Sequence, residues 1–341
     1  MATCVVFGAG AFGTAMSAVL ARSPVVSRVF IYGRSQDVVD GINRDGVNGK
    51  ILPQVGPHRL NTEKIRATTS LMDLPRSVHS FYHAVPVQQS PAFLQYLKDS
   101  RLELHGRPYV NCSKGVYLHN GQRLMTVDKL FKQCSSALEG RYMALSGPSF
   151  AQGLLGAVPC MMSLAGNDGT VGELLRSSPG VFVEDSPELS IEAVEWAGAM
   201  KNVCALAYGW VEASLDCNTA AAIVTVMWRE LYELLGMDDR GSRYSYFESS
   251  AGLGDLLLTC GGGRSRNVAY GRDVATAQQQ GGNLADLVGI SDRPTVEGWH
   301  TMEALLSLYG PKRLPRTARI REGIEGVESP MDAVQGALGF R

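Results

Sequence analysis

The sequence has no surplus of either charge: 32 Lys and Arg stand against 33 Asp and Glu, a formal net charge of -1. That balance gives no electrostatic reason to expect nucleic acid or an anionic membrane as partner. A small anionic ligand needs only a few local cations and is not excluded. No apolar run reaches the roughly 18 residues that span a bilayer. There is no CxxC pair either. The seven cysteines, Cys4, Cys112, Cys134, Cys160, Cys204, Cys217 and Cys260, are scattered and odd in number. This argues against a disulfide framework or a zinc site and fits small buried residues in a reducing compartment. No His/Cys/carboxylate cluster offers a metal site. Strand-like Thr3 to Phe7 begins almost at once, so neither a signal nor a transit peptide is expected. The final Gly339-Phe340-Arg341 is not an SKL-type address. A cytoplasmic location is the expectation.

What is present suits two domains: 341 residues, 45% of them hydrophobic and 19% charged, as ordinary globular cores require. The first half alternates short apolar runs with helical patterns. Cys4 to Phe7, Val29 to Tyr32, Ser80 to Val85 and Tyr109 to Cys112 read as strands, with a helix from Thr14 to Ala21. Met143 to Leu145 and Cys160 to Leu164 add two more strands. This alternation predicts an α/β domain, a doubly wound, Rossmann-type parallel sheet covered on both faces. From about Pro187 the texture changes to helical spacing: Leu189 to Tyr208, Thr219 to Leu235, Arg266 to Gln280 and Val296 to Leu308. A dinucleotide-binding domain over 1–188 and a mostly helical, catalytic domain over 189–341 are expected. The polar run Gln278-Gln279-Gln280 reads as a helix end or loop.

Gly8-Ala9-Gly10-Ala11-Phe12-Gly13 lies between the first strand and the first helix. In that setting Gly8 permits the tight turn, Gly10 lets backbone approach a pyrophosphate, and Gly13 lets helix and strand pack closely. The helix N-terminus offers unpaired N–H groups to the phosphates. The motif therefore predicts NAD(H) or NADP(H). Past the second strand, where NAD-specific folds place an acid, stands Ile31-Tyr32-Gly33-Arg34-Ser35, and the nearest acid is Asp37. Arg34 suits stacking on adenine or pairing with a 2′-phosphate; a solvated surface arginine is the alternative.

Two lysines stand out. Lys114, in Asn111-Cys112-Ser113-Lys114-Gly115, lies just past a strand, where open α/β sheets bind ligands. Lys201, in Trp196-Ala197-Gly198-Ala199-Met200-Lys201-Asn202-Val203, lies on an otherwise apolar helix, where an unpaired ammonium is costly. Either could instead pack its stem and lift its amine to water. Asp255 is set in the apolar, glycine-rich Ala251 to Leu256. Arg266 and Asn267 follow Gly261 to Gly263 and open a helix, a setting that suits a phosphate; a capping segment with an exposed arginine is the alternative.

These blocks carry a resemblance. From Val5 to about Ala333 the chain resembles the NAD(P)-dependent glycerol-3-phosphate dehydrogenase family. The matching blocks are Gly8 to Gly13, Ser113-Lys114-Gly115, Ser146-Gly147-Pro148-Ser149-Phe150-Ala151, Lys201-Asn202, Gly252 to Cys260, Ser265-Arg266-Asn267 and Val296-Glu297-Gly298. The resemblance implies that Lys201 exchanges the proton of the substrate's C2 hydroxyl. It makes Lys114 and Asp255 substrate-orienting groups and Asn202 their support. Gly147 and Ser149 are assigned to the substrate, and Thr259, Ser265, Arg266 and Asn267 to its phosphate. Ala11, Phe12, Lys114, Ala151, Arg266 and Glu297 are assigned to the cofactor. A homodimer acting on glycerol 3-phosphate or dihydroxyacetone phosphate is implied, without a metal. Two places depart from the family pattern: His83 in the strand ending at Val85, and Gly261-Gly262-Gly263-Arg264 in place of a more polar loop. A β-hydroxyacid dehydrogenase shares the two-domain plan and the helix lysine with its asparagine but would recognise a carboxylate. A nonenzymatic dinucleotide sensor would have no use for the lysines and Asp255.

Overall fold

The computed structural model describes the chain except for residues 52–55, 101, 103, 105, 135–140, 167, 186–188, 235–247, 283–295 and 340–341. It divides into two compact units. The first comprises Met1–Tyr117, Met125–Glu195 and Ser249–Ala251, and the second Leu118–Leu124, Trp196–Glu248 and Gly252–Arg341. Residue 188, where the sequence places the boundary, and Leu235, the expected end of a helix, lie outside the described residues.

The first unit is a sheet with helices. Its strands are β1 (Ala2–Phe7), β2 (Val26–Tyr32), β3 (Ile65–Thr68), β4 (Ser80–His83), β5 (Pro108–Asn111), β8 (Arg141–Ser146), β9 (Cys160–Ala165) and β10 (Val181–Asp185). β6 (Tyr117–His119) and β7 (Arg123–Met125), which lie mostly in the second unit, form a separate two-stranded sheet. The spatial order is β10-β9-β8-β5-β4-β1-β2-β3. The helices are α1 (Ala11–Arg22), α2 (Gln36–Asp45), α3 (Ser90–Asp99), α4 (Val127–Cys134), α5 (Ala151–Leu155) and α6 (Gly169–Arg176). β1 pairs in parallel with both β2 and β4, so the chain order reverses beside it. Such a reversal opens a crevice at the strands' C-terminal ends. The expectation of a parallel sheet needs one correction: β8 and β9 run antiparallel. The 13-residue link between them holds only the short α5, too little for the usual helical crossover.

Strand alternation explains why the sheet is covered on both faces. Cys4 and Val6 of β1 join Ala15, Met16, Val19 and Leu20 of α1 in one buried cluster. Val5 and Phe7 point the other way, into a cluster with Tyr32, Phe81, Tyr109 and Phe131. With a period of two, a strand buried on both faces must be apolar throughout, as Cys4-Val5-Val6-Phe7 is. His83 ends β4 inside this second layer. It is fully buried, with Nδ1 2.7 Å from the Tyr109 hydroxyl and Nε2 2.9 Å from the Ser90 hydroxyl. It is thus packed and hydrogen-bonded on both ring nitrogens.

The second unit is built mainly of helices: most of α7 (Ile191–Ser214), α8 (Cys217–Leu234), α9 (Asp255–Gly261), α10 (Arg266–Gln279), α11 (Glu297–Tyr309), α12 (Pro315–Ile324) and α13 (Pro330–Leu338). α7 and α10 approach until their backbones touch. A Cβ on Gly209 would lie 2.1 Å from the Val268 carbonyl oxygen, and one on Gly271 2.3 Å from that of Leu206. Gln278 lies in the last turn of α10, so the glutamine run is the helix end its sequence suggested. Gln278 accepts a hydrogen bond from the Trp210 indole at 2.8 Å and donates to the carbonyls of Gly323 and Ile324. On α8, the buried Glu230 carboxylate accepts the Arg316 and Thr317 amides and so caps α12.

Burial drives the His83 pKa down from 6.5 to about 3. Between those values the unfolded chain binds the proton and the folded protein does not, so stability is full above about 6.5 and falls as pH drops towards 3. The urea midpoint of the wild type should therefore drop between pH 7 and pH 5.5. His83→Gln, which keeps hydrogen-bonding capacity without titrating, should drop less. Equal drops would show that His83 takes no part in acid destabilisation.

Candidate functional site

In the first unit the glycine loop has the strained form its sequence implies. Gly8 has φ +107°, and a Cβ there would lie 2.5 Å from the Ala84 carbonyl oxygen. A Cβ on Gly13 would lie 1.9 Å from the Gly8 carbonyl oxygen. Gly10, the N-cap of α1, differs: a Cβ there meets nothing within 4 Å, and no side chain caps the helix. The first-turn N–H groups thus lack a side-chain acceptor, where the positive end of a helix dipole favours phosphate. Asn48 holds the loop from below, its Nδ2 donating to the Ala9 carbonyl and the Thr14 hydroxyl, both at 2.9 Å. Nothing in the sequence marks this residue, which stands 35 positions past Gly13. Phe12 and Ala151 pack, partly buried, on the same apolar cluster. Ala11 opens α1, and Arg34 is exposed just past β2.

At the neighbouring strand ends the structure gathers three assigned residues. The Gly147 carbonyl accepts from the Lys114 ammonium at 3.0 Å and from the Ser149 hydroxyl at 2.9 Å. Gly147 has φ +150°, and a Cβ there would lie 2.7 Å from the Met161 carbonyl oxygen. Lys114 is held by a turn that the sequence reading passed over. The Asn111 Oδ1 accepts from the Ser113 amide at 3.0 Å, and the Ser113 hydroxyl donates to the Val85 carbonyl at 2.5 Å.

In the second unit Lys201 is 6% exposed and Asp255 1%. The ammonium lies 2.7 Å from Asp255 Oδ2 and donates to the Thr259 hydroxyl at 3.0 Å. That hydroxyl in turn donates to the Asp255 backbone carbonyl at 2.6 Å. Asp255 and Thr259 stand one turn apart on α9, so both face the same point on α7. A π-turn, Ser250–Gly254, leads directly into Asp255. Next to Lys201, the Asn202 amide donates to Glu297 Oε2 at 3.0 Å. The Gly298 amide donates to Asn267 Oδ1 at 2.9 Å, and a Cβ on Gly298 would lie 2.3 Å from the Asn202 carbonyl oxygen. Asn202, Glu297 and Asn267 thus form one linked group, with Gly298 demanded by the close approach. Ser265 caps α10 by accepting from the Val268 amide, and Arg266 opens that helix, exposed. Arg264 is exposed as well. Burial pushes the neighbouring Cys260 thiol up to about 12, which rules it out as a thiolate nucleophile at neutral pH. Among the described residues no group of three His, Cys, Asp or Glu could hold a metal ion. No helix of the described residues is long and apolar enough to cross a membrane.

The open space at Gly10 gives a discriminating test. Gly10→Ala should lower the melting temperature by no more than a few degrees, the cost of alanine at an N-cap, because the methyl meets no protein atom, yet weaken NADPH binding by about tenfold or more through crowding of the pyrophosphate. Unchanged affinity in a fluorescence titration would show that the phosphates do not lie over Gly10.

Models described as the N-terminus and C-terminus of NAD-dependent glycerol-3-phosphate dehydrogenase match residues 3–171 and 190–335. A chloroplastic glycerol-3-phosphate dehydrogenase (NAD+) of Oryza sativa subsp. japonica is 33% identical over 98% of this chain and 74% of its own length. The NAD(P)+ enzyme of that name from Parvibaculum lavamentivorans is 31% identical over 98% of this chain and 95% of its own. The crystal structure of the Coxiella burnetii glycerol-3-phosphate dehydrogenase superposes with a TM-score of 0.75 at 25% identity, covering 99% of each chain. On these grounds, the chain belongs to the NAD-dependent glycerol-3-phosphate dehydrogenase family.

Proposed function

We propose that the protein interconverts sn-glycerol 3-phosphate and dihydroxyacetone phosphate with NAD(H) or NADP(H), and that Lys201 is the acid/base. The observation that carries this reading is the buried Lys201 ammonium held between the Asp255 carboxylate and the Thr259 hydroxyl. A dinucleotide held over the Gly8 to Gly13 loop would supply or accept the hydride at the substrate's C2. In the reducing direction negative charge grows on the C2 oxygen. An ammonium already charged and aimed there stabilises that charge and gives up a proton to it. In the oxidising direction the amine takes the proton of the C2 hydroxyl. Asp255 keeps the lysine charged when it is out of water, and Thr259 fixes the direction of its N–H bonds. Asn202, held by Glu297, steadies the adjacent backbone. Lys114 orients the substrate, with Gly147 and Ser149 beside it.

The substrate phosphate is assigned to the start of α10. Ser265 ends the loop as N-cap, the helix dipole favours an anion, and Arg266 offers two parallel N–H bonds. With its Oδ1 engaged by Gly298, Asn267 turns its amide nitrogen to the phosphate. The first domain, 1–188, takes the dinucleotide over the Gly8 to Gly13 loop, and 189–341 supplies the acid/base. Arg34 reads the adenosine 2′-phosphate when NADP(H) is bound. A cytoplasmic homodimer acting on small molecules, with neither nucleic acid nor membrane as partner, completes the proposal.

The test is initial rates with dihydroxyacetone phosphate and with dihydroxyacetone, at saturating NADPH or NADH. The phosphorylated substrate should have a kcat/KM higher by orders of magnitude, because remote binding energy also holds C2 in place. Arg266→Ala should cost the phosphorylated substrate about 10- to 100-fold, the worth of a charged hydrogen bond, and cost dihydroxyacetone much less. The same factor lost on both would remove Arg266 from phosphate recognition. A wild type inert toward dihydroxyacetone phosphate would sink the reading itself.

A further inference from the structure

We infer that Glu195 is a positioning residue for Lys114, clamping the strand ends that carry the lysine and its acceptor, Gly147. The inference deepens the proposed function and rests on its reading of Lys114 as the substrate-orienting group. Glu195 lies on α7, six residues before Lys201, and is 3% exposed. One carboxylate oxygen accepts from the Asn111 amide at 2.5 Å and from the Tyr142 hydroxyl. The other accepts from the Asp128 amide at 3.0 Å, in the first turn of α4.

The placement of these donors gives the group its role. Asn111 is the last residue of β5, and Tyr142 lies on the adjacent β8. Beyond β5 come Ser113 and Lys114; beyond β8 comes Gly147. The Asn111 amide that donates to Glu195 also presents its oxygen to the Ser113 N–H at 3.0 Å. With its amide nitrogen fixed on the carboxylate, Asn111 turns its oxygen to the Ser113 N–H, while the same nitrogen also donates to the Ser113 carbonyl at 3.3 Å, and the turn that carries Lys114 is set. The Tyr142 bond ties the Gly147 strand to the same carboxylate. Lys114 then donates to the Gly147 carbonyl at 3.0 Å, closing a ring from Glu195 through both strands.

A carboxyl in this place is expensive. Burial pushes it up to about 7, and Asp128 adds like charge. An apolar side chain would fill the space without that cost. Capping α4 through the Asp128 amide requires only one of the two oxygens. The oxygen shared by Asn111 and Tyr142 acts on the strand ends.

A double-mutant cycle separates positioning from general support. Glu195→Gln keeps the shape but sets an amide N–H against one of the three donors. It should lower kcat/KM for dihydroxyacetone phosphate by about tenfold and leave the NADPH Kd within about twofold. In a Lys114→Ala background the same substitution should cost less than about twofold, since the group it positions is gone. Equal factors in both backgrounds, or no loss in the first, would overturn the inference. If Glu195→Gln does not fold, Asn111→Ala, which leaves the Asp128 and Tyr142 bonds in place, enters the same cycle with the same expectations. A readout free of turnover is reductive methylation of Lys114, followed by mass spectrometry. Release from Gly147 should speed its labelling several-fold in Glu195→Gln or Asn111→Ala. Unchanged labelling overturns the positioning role even if the wild type proves inert toward dihydroxyacetone phosphate, which by itself refutes only the proposed function.

Discussion

An ammonium removed from water needs a counter-charge, and the helical unit is arranged to meet that need at Lys201. The Asp255 carboxylate lies 2.7 Å from it and the Thr259 hydroxyl accepts from it at 3.0 Å. Deleting one partner of such a pair typically costs about 3–5 kcal/mol, because the other charge is left buried and alone. Replacing the pair with apolar residues of similar volume is often neutral or stabilising. Stability alone therefore gives no reason to build this pair into an apolar helix. A charged, aimed amine at a reacting oxygen does.

The surrounding packing serves the same end. Asp255 and Thr259 can face Lys201 together only because α9 begins at Asp255, directly after the π-turn. Gly298 lets the start of α11 approach the Asn202 carbonyl, which brings Glu297 within reach of the Asn202 amide. In the sheet unit the same economy appears as backbone geometry. Gly8 and Gly147 occupy positive-φ turns hard against neighbouring carbonyls, while Gly10 faces open space. The first two glycines are required by the protein's own packing. The third is free to be required by a ligand.

Much of this was legible in the sequence because the physics is local. The Gly8 to Gly13 loop follows from strand, turn and helix within a few residues. Cys4 to Phe7 shows a doubly covered strand by being apolar at every position. Lys201 on an apolar helix announced that it needed a partner, but local pattern could not say that Asp255, 54 positions on, supplies it; only the resemblance joined them. Other features depend on contacts far along the chain and left no mark: Asn48 beneath the glycine loop, Gln278 on Trp210, and Asn111 between Glu195 and Ser113. The direction of β9 is set by the length and path of its connection, which composition does not encode. One local signal was readable and overlooked. Asn120-Gly121, both at positive φ, is the turn pair expected between paired strands, and it joins β6 to β7.

The central claim is that the Lys201 ammonium performs the proton exchange, and single-turnover NADPH oxidation by dihydroxyacetone phosphate tests it most directly. Lys201→Met removes the amine while keeping an apolar stem of similar length. With folding verified by circular dichroism and the NADPH Kd unchanged, the chemical step should slow by at least about a hundredfold, the lower range for loss of an acid/base. A folded Lys201→Met protein that oxidises NADPH at close to the wild-type rate would contradict the account.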